Sequence, residues 1–147
     1  MAASTVPAVL DALVAGFTSA LPGVQVVDGQ PITTDGDVVC VGFSGLAGEP
    51  AVESTRTREQ LAVEPERESY DITCLASSWD GGTDARVVRD RAYELLGAVA
   101  SWLAADRTLG GLVLSTRLTA ESLIQEQTDQ GAAATVRFTV HVDAFTR

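Results

Sequence analysis

Lysine and asparagine are both absent from this 147-residue chain. All ten basic residues are therefore arginine, and against twenty acidic ones they leave a net charge of −10. That balance excludes ordinary sequence-tolerant nucleic-acid binding, which needs a positive footprint over the phosphates. The two missing residue types share A-rich codons, so their joint absence points to a very GC-rich coding sequence.

Histidine is scarce as well. His141 stands alone, and any serine or cysteine nucleophile paired with a histidine would have to use it. Cys40 and Cys74 are too far apart for a metal-binding spacing; each lies in an apolar strand-like run and reads as a buried reduced thiol. No apolar run approaches the roughly 20 residues of a membrane span. The opening "MAASTVPAVLDALVAGF" has no basic leader, and Asp11 interrupts its apolar pattern. We read the chain as soluble, intracellular in origin and without a membrane partner. No glycine-rich nucleotide fingerprint, phosphate-loop lysine or metal cluster is present, so neither a cofactor nor a catalytic residue is expected.

What is present is ordinary globular material. Hydrophobic residues make up 46% and charged residues 20%, enough apolar content for residues 1–147 to fold as one domain around its own core. Ser4 or Thr5 followed by Pro7 opens a helix, because a hydroxyl satisfies free N–H groups and proline has none to lose in the first turn. Val6, Val9, Leu10, Leu13, Val14, Phe17 and Leu21 recur at helical spacing until Pro22-Gly23 stops them.

Val24 to Asp28 then reads as a short strand, and Val38 to Phe43 as a strand buried on both faces. Ala51 to Leu61 and Ser69 to Trp79 form a long hairpin bending near "AVEPER". From Thr83 or Asp84 to Asp106, a stripe of Val88, Ala92, Leu95, Leu96, Val99, Trp102 and Leu103 predicts a second, longer helix. Leu112 to Leu118, Leu123 to Thr128 and Ala133 to Phe145 are terminal strands, the last two joined by the turn "DQG". In the final strand Val136, Phe138, Val140 and Val142 point one way; Thr135, Arg137, Thr139, His141 and Asp143 point the other. The expected fold is an α/β sandwich of the α+β type: a mostly antiparallel mixed sheet with two helices on one face.

The stretch "SSWDGGTDAR", residues 77–86, has the look of an acidic ligand loop. It lacks the further oxygen ligands of a calcium loop and the lysine of a phosphate loop. Each residue has a local reason instead: Asp80-Gly81-Gly82 turns the chain, Thr83 caps the helix, and Asp84 favours its positive end. His141 reads as an exposed strand residue, and the carboxylates Glu49, Glu53, Glu59, Glu64, Glu66 and Glu68 as a solvated charged hairpin.

Three segments carry a resemblance: "TVPAVLDALVAGFTSALPGVQVVDGQPITTDGDVVCVGF", "YDITCLASSWDGGTDARVVRDRAYELLGAVASWLAAD" and "LIQEQTDQGAAATVRFTVHVDAF". Over nearly the whole chain they look like the tail terminator family of long-tailed bacteriophages, in the form found among phages of actinobacteria. The resemblance implies a virion protein forming a ring, typically hexameric, on the head-proximal end of the tail tube. Such a ring stops tail polymerisation, offers a surface to head-completion or neck proteins, and passes DNA through its bore without specific binding. Assembly would take place in the bacterial host cytoplasm. Under that reading the subunit or tube contacts are expected from Glu53, Arg56, Arg58, Glu59, Glu64, Glu66, Arg67, Glu68, Arg137 and His141. A neck adaptor ring and a small ligand-binding domain are the alternatives from other classes.

Overall fold

The computed structural model describes residues 3–31, 36–46, 48–57, 66–82 and 84–146. The first helix, α1, spans Val6–Ala20 with proline in its first turn, and buries Val9, Leu13, Gly16 and Phe17 along one stripe. It stops at Leu21, whose N–H still reaches Phe17 O at 2.9 Å, before Gly23 takes a left-handed φ of 80°. The second helix, α2, spans Ala85–Ala105 and buries Val88, Ala92, Leu95, Leu96, Val99 and Leu103. Its cap is Asp84, which accepts from Arg86 N at 3.0 Å. Thr83, expected in that role, lies outside the described residues.

Six strands follow the predicted order: β1 (Gln25–Asp28), β2 (Asp37–Val41), β3 (Val52–Thr57), β4 (Glu66–Asp80), β5 (Ser115–Thr128) and β6 (Gly131–Thr146). They form one open sheet in the spatial order β1, β2, β4, β6, β5. β3 pairs with β4 over Arg67 to Ile72, beside the stretch Cys74 to Ser78 that pairs with β2. Among the described residues only β1 and β2 run parallel, and the other pairings are antiparallel. The mixed, mostly antiparallel sheet with two helices is the architecture expected from the residue pattern.

Register decides which residues meet the helices. Tyr70, Ile72, Cys74 and Ala76 of β4 lie opposite Val142, Val140, Phe138 and Val136 of β6. All of them are buried in one cluster with Val39 and Val41 of β2 and the apolar stripes of α1 and α2. Both helices therefore cover the same face. Where they meet, Phe17 packs edge-to-face on Trp102, with ring centroids 5.6 Å apart. Gly16 makes this possible, because a Cβ there would collide with the Trp102 ring.

Three differences from the residue pattern have physical causes. The strands expected at Leu112 to Leu118 and Leu123 to Thr128 are one strand, β5, and Leu112 to Leu114 precede it. A bulge between Leu118 and Ala120 leaves Thr119 unpaired and shifts the alternation, which breaks the pattern without breaking the ladder. Second, Glu68 is not solvated: it is 2% exposed, in phase with Tyr70 and Ile72, and faces α1. Its carboxylate accepts from Ser4 Oγ (2.6 Å), Thr5 N (2.9 Å) and Thr5 Oγ1 (2.7 Å), so it closes the first turn of α1 from across the sheet. Third, the strand before α2 runs one residue past Trp79 to Asp80, and Trp79 is 39% exposed because it continues the phase of Asp71, Leu75 and Ser77 on the face away from the helices.

Cys40 and Cys74 are buried free thiols. Cys40 lies opposite Leu75 and Val41 opposite Cys74, so the two thiols point to opposite faces of the sheet. Burial pushes Cys40 up to about 11 and Cys74 to about 12. Among the described residues no helix is long and apolar enough to cross a membrane.

Candidate functional site

The face of the sheet turned away from the helices carries the polar chemistry. Its residues are the other phase of β4 and β6, half-buried or exposed along most of their length. One row crosses four strands in register: Glu53 of β3, Asp71 of β4, His141 of β6 and Arg117 of β5. The next row holds Ser69, Asp143 and Ser115.

His141 is the hub of these two rows. Its Nδ1 lies 2.7 Å from Asp71 Oδ1, while Nε2 lies 3.3 Å from Ser69 Oγ and 3.5 Å from Asp143 Oδ2. The exposed-residue reading of His141 is corrected here, since its side chain is only 22% exposed and held at both nitrogens. Serine, histidine and aspartate are connected in the sense of a nucleophile, base and orienting carboxylate. Among the described residues the remaining requirement is not assembled. Ser69 is paired with β3 on one side and β6 on the other, and that ladder takes up the amides an oxyanion would need. Asp143 beside Nε2 would further oppose negative charge at that point. A single metal ion is no better served, because the two carboxylates approach opposite ring nitrogens.

The structure separates the expected contact residues. Glu53, Arg67 and His141 lie in β3, β4 and β6, Glu53 and Arg67 being exposed. Arg56 and Glu66 take part in the strand ladders, opposite Glu68 and Thr146. Arg58, Glu59 and Glu64 lie outside the described residues. Glu68 leaves the surface set, because its carboxylate is consumed by the start of α1. Arg137 lies away from the His141 rows, where its Nε donates to Ser44 O at 3.1 Å.

Ser69, Asp71 and Asp143 were not singled out by the sequence reading. Their signal was the polar phase of β4, which alternates as regularly as that of β6, but only the register joins the two. The described residues on either side of 83 serve the chain's own backbone: Asp80 Oδ1 accepts from Gly82 N at 3.1 Å, and Asp84 caps α2. Both aspartates thus serve backbone amides two positions along.

A further feature of this side is the outer edge of β5. Strand β5 is fourteen residues long, among the described residues pairs only with β6, and is exposed from Thr119 onward, including Leu123 and Ile124 at 37% and 42%. Unpaired backbone groups along such an edge invite another strand. No protein-family profile and no curated protein sequence matches the chain.

Proposed function

We propose that this chain is a structural virion protein that forms a ring, hexameric in its family's manner, at the head-proximal end of a phage tail tube. The ring ends tube polymerisation and presents the surface on which the head is joined, with DNA passing through the bore. The observation that carries the reading is the division of the sheet. One face is closed by both helices, whereas the other face, buried at β2 where Val38 and Cys40 lie, is half-exposed or exposed across β4, β6 and β5, and among the described residues the fourteen-residue β5 has no second partner strand. A subunit so divided suits heterologous closure, in which one patch meets a different patch of the neighbour until the rotation completes a circle.

Charge supports the same reading. Copies carrying −10 each give a strongly anionic assembly, and an anionic bore repels phosphate and lets DNA slide. The same charge makes the subunits repel one another, so closure should be favoured by salt. Glu53, Arg67 and the His141 rows supply the polar contacts of the subunit or tube interface.

Electron microscopy of the purified protein, alone and mixed with tail tubes at two ionic strengths, tests the proposal. Rings capping one tube end are expected, more abundant at the higher salt. A monomer that never binds a tube end sinks it, and rings bound only to the head vertex would place the chain as a neck adaptor.

A further inference from the structure

The face turned away from the helices also holds a cleft beside the β5 edge. Its volume is about 320 Å³, at the small end of the roughly 300–1,000 Å³ of small-molecule sites. Leu75, Thr135 and Arg137 form the floor, with Ile124 of β5 on one side and Leu46 on the other. The Leu46 side is pressed onto the sheet: a Cβ added at Gly45, whose φ is 72°, would come within 3.3 Å of Leu75 Cδ1.

Arg137 sets the chemistry. Its Nε is anchored to Ser44 O at 3.1 Å, which fixes the guanidinium plane, and the side chain is half-buried. Among the described residues its Nη groups have no hydrogen-bond or ion-pair partner. An oriented guanidinium with free Nη donors matches a carboxylate, and Leu46 and Ile124 beside it match an apolar body. Exposed Glu126 stands on the rim and opposes a second negative charge, which favours a monoanion over a phosphate or dicarboxylate.

We propose that this cleft binds a monocarboxylate carried on a small apolar body. The carboxylate takes the Nη donors of Arg137, and the apolar part lies between Leu46 and Ile124. Such chemistry is offered both by the end of a polypeptide with an apolar last residue and by a free short-chain acid. The site does not depend on the ring.

Amide chemical shifts measured by NMR during titration with N-acetyl-leucine and with hexanoate, each against its uncharged amide, test this. The acids should shift residues 44–46, 75, 124 and 135–137, with a dissociation constant on the order of 1 mM. The amides should bind at least about tenfold more weakly, and Arg137→Gln should remove the same preference. Stronger binding of N-acetyl-leucine marks a polypeptide end, and stronger binding of hexanoate a free acid. No shift with either acid, or equal shifts with the amides, overturns the proposal. Should Arg137→Gln fail to fold, Leu46→Ser at its half-exposed position reads the same cleft: affinity must fall several-fold, and unchanged affinity counts against it.

Discussion

Strand β6 runs through two environments at once. From Ala132 to Ala144 every second side chain is buried under the helices, and the residues between them, Thr135 to Asp143, stand half-exposed on the other face. Both faces contain polar clusters, yet these differ in kind. On the covered face Glu68 is enclosed, with Ser4 and Thr5 as its donors. On the open face His141, Asp71, Ser69 and Asp143 form a connected set still reached by water. A buried carboxylate without donors would be costly, so the Glu68 cluster is an obligation of folding. The open-face cluster is under no such obligation, and its composition is available for contacts with something else.

The covered face should give the largest effects. Phe138→Ala removes a ring that is 1% exposed at the centre of the cluster, and should cost about 3–5 kcal/mol by urea denaturation. Its neighbour in sequence, Thr139→Ala, points to the open face and should stay within about 0.5 kcal/mol. Similar losses at both positions would erase the distinction between the faces. Glu68→Ala comes next, at roughly 1.5–3 kcal/mol for lost hydrogen bonds to a charged group. Because those bonds begin at Ser4 and Thr5, hydrogen exchange should accelerate first in the opening turn of α1. Exchange that rises evenly over the chain would mean that Glu68 does not hold this helix in particular.

These two positions also separate what was legible in the sequence from what was not. Phe138 declared itself through alternation with Val136, Val140 and Val142, and α2 through a stripe from Val88 to Leu103 that extends over about four turns. Glu68 sits among Glu64, Glu66 and Arg67, and local composition argues for water. Its period-two phase with Tyr70 and Ile72 argues for burial, and the phase was the better guide because one strand cannot turn a single residue out of register. β5 failed in the opposite way: its bulge at Thr119 interrupts the phase while the hydrogen bonds continue. The His141 cluster and the Arg137 cleft required distances between strands far apart in sequence, and no single strand carries that information.

Alkaline pH should weaken the buried structure next. Desolvation raises Cys40 from 9.0 to about 11 and Cys74 from 9.0 to about 12. Tyr70 rises from 10.0 to about 12 by burial, with the Glu68 charge adding to the shift and its Thr5 hydrogen bond opposing it. Since each folded value lies above the unfolded one, the native state holds protons that the unfolded chain releases. This stability is complete below pH 9 and is lost as pH rises toward 12, so the urea midpoint should fall across that window. Replacing Cys74 by alanine should flatten the fall; an unchanged profile would remove the thiol from its causes.

The smallest effect is expected at the hub of the open face. His141→Gln gives up contacts to Asp71, whose side chain is 58% exposed, and to Asp143 at 3.5 Å. Polar contacts so accessible to water contribute at most about 0–1 kcal/mol, and glutamine retains a polar side chain for Ser69, so a loss of about 0.5 kcal/mol or less is expected by urea denaturation. The value of the measurement lies in setting that number beside assembly. If the open face serves contact, His141→Gln should reduce ring formation under conditions where the folded fraction is unchanged. A loss above about 2 kcal/mol would instead rank His141 with Glu68 as a folding residue. The open face would then be a second core boundary, and the case for a contact surface would have to rest on the β5 edge alone.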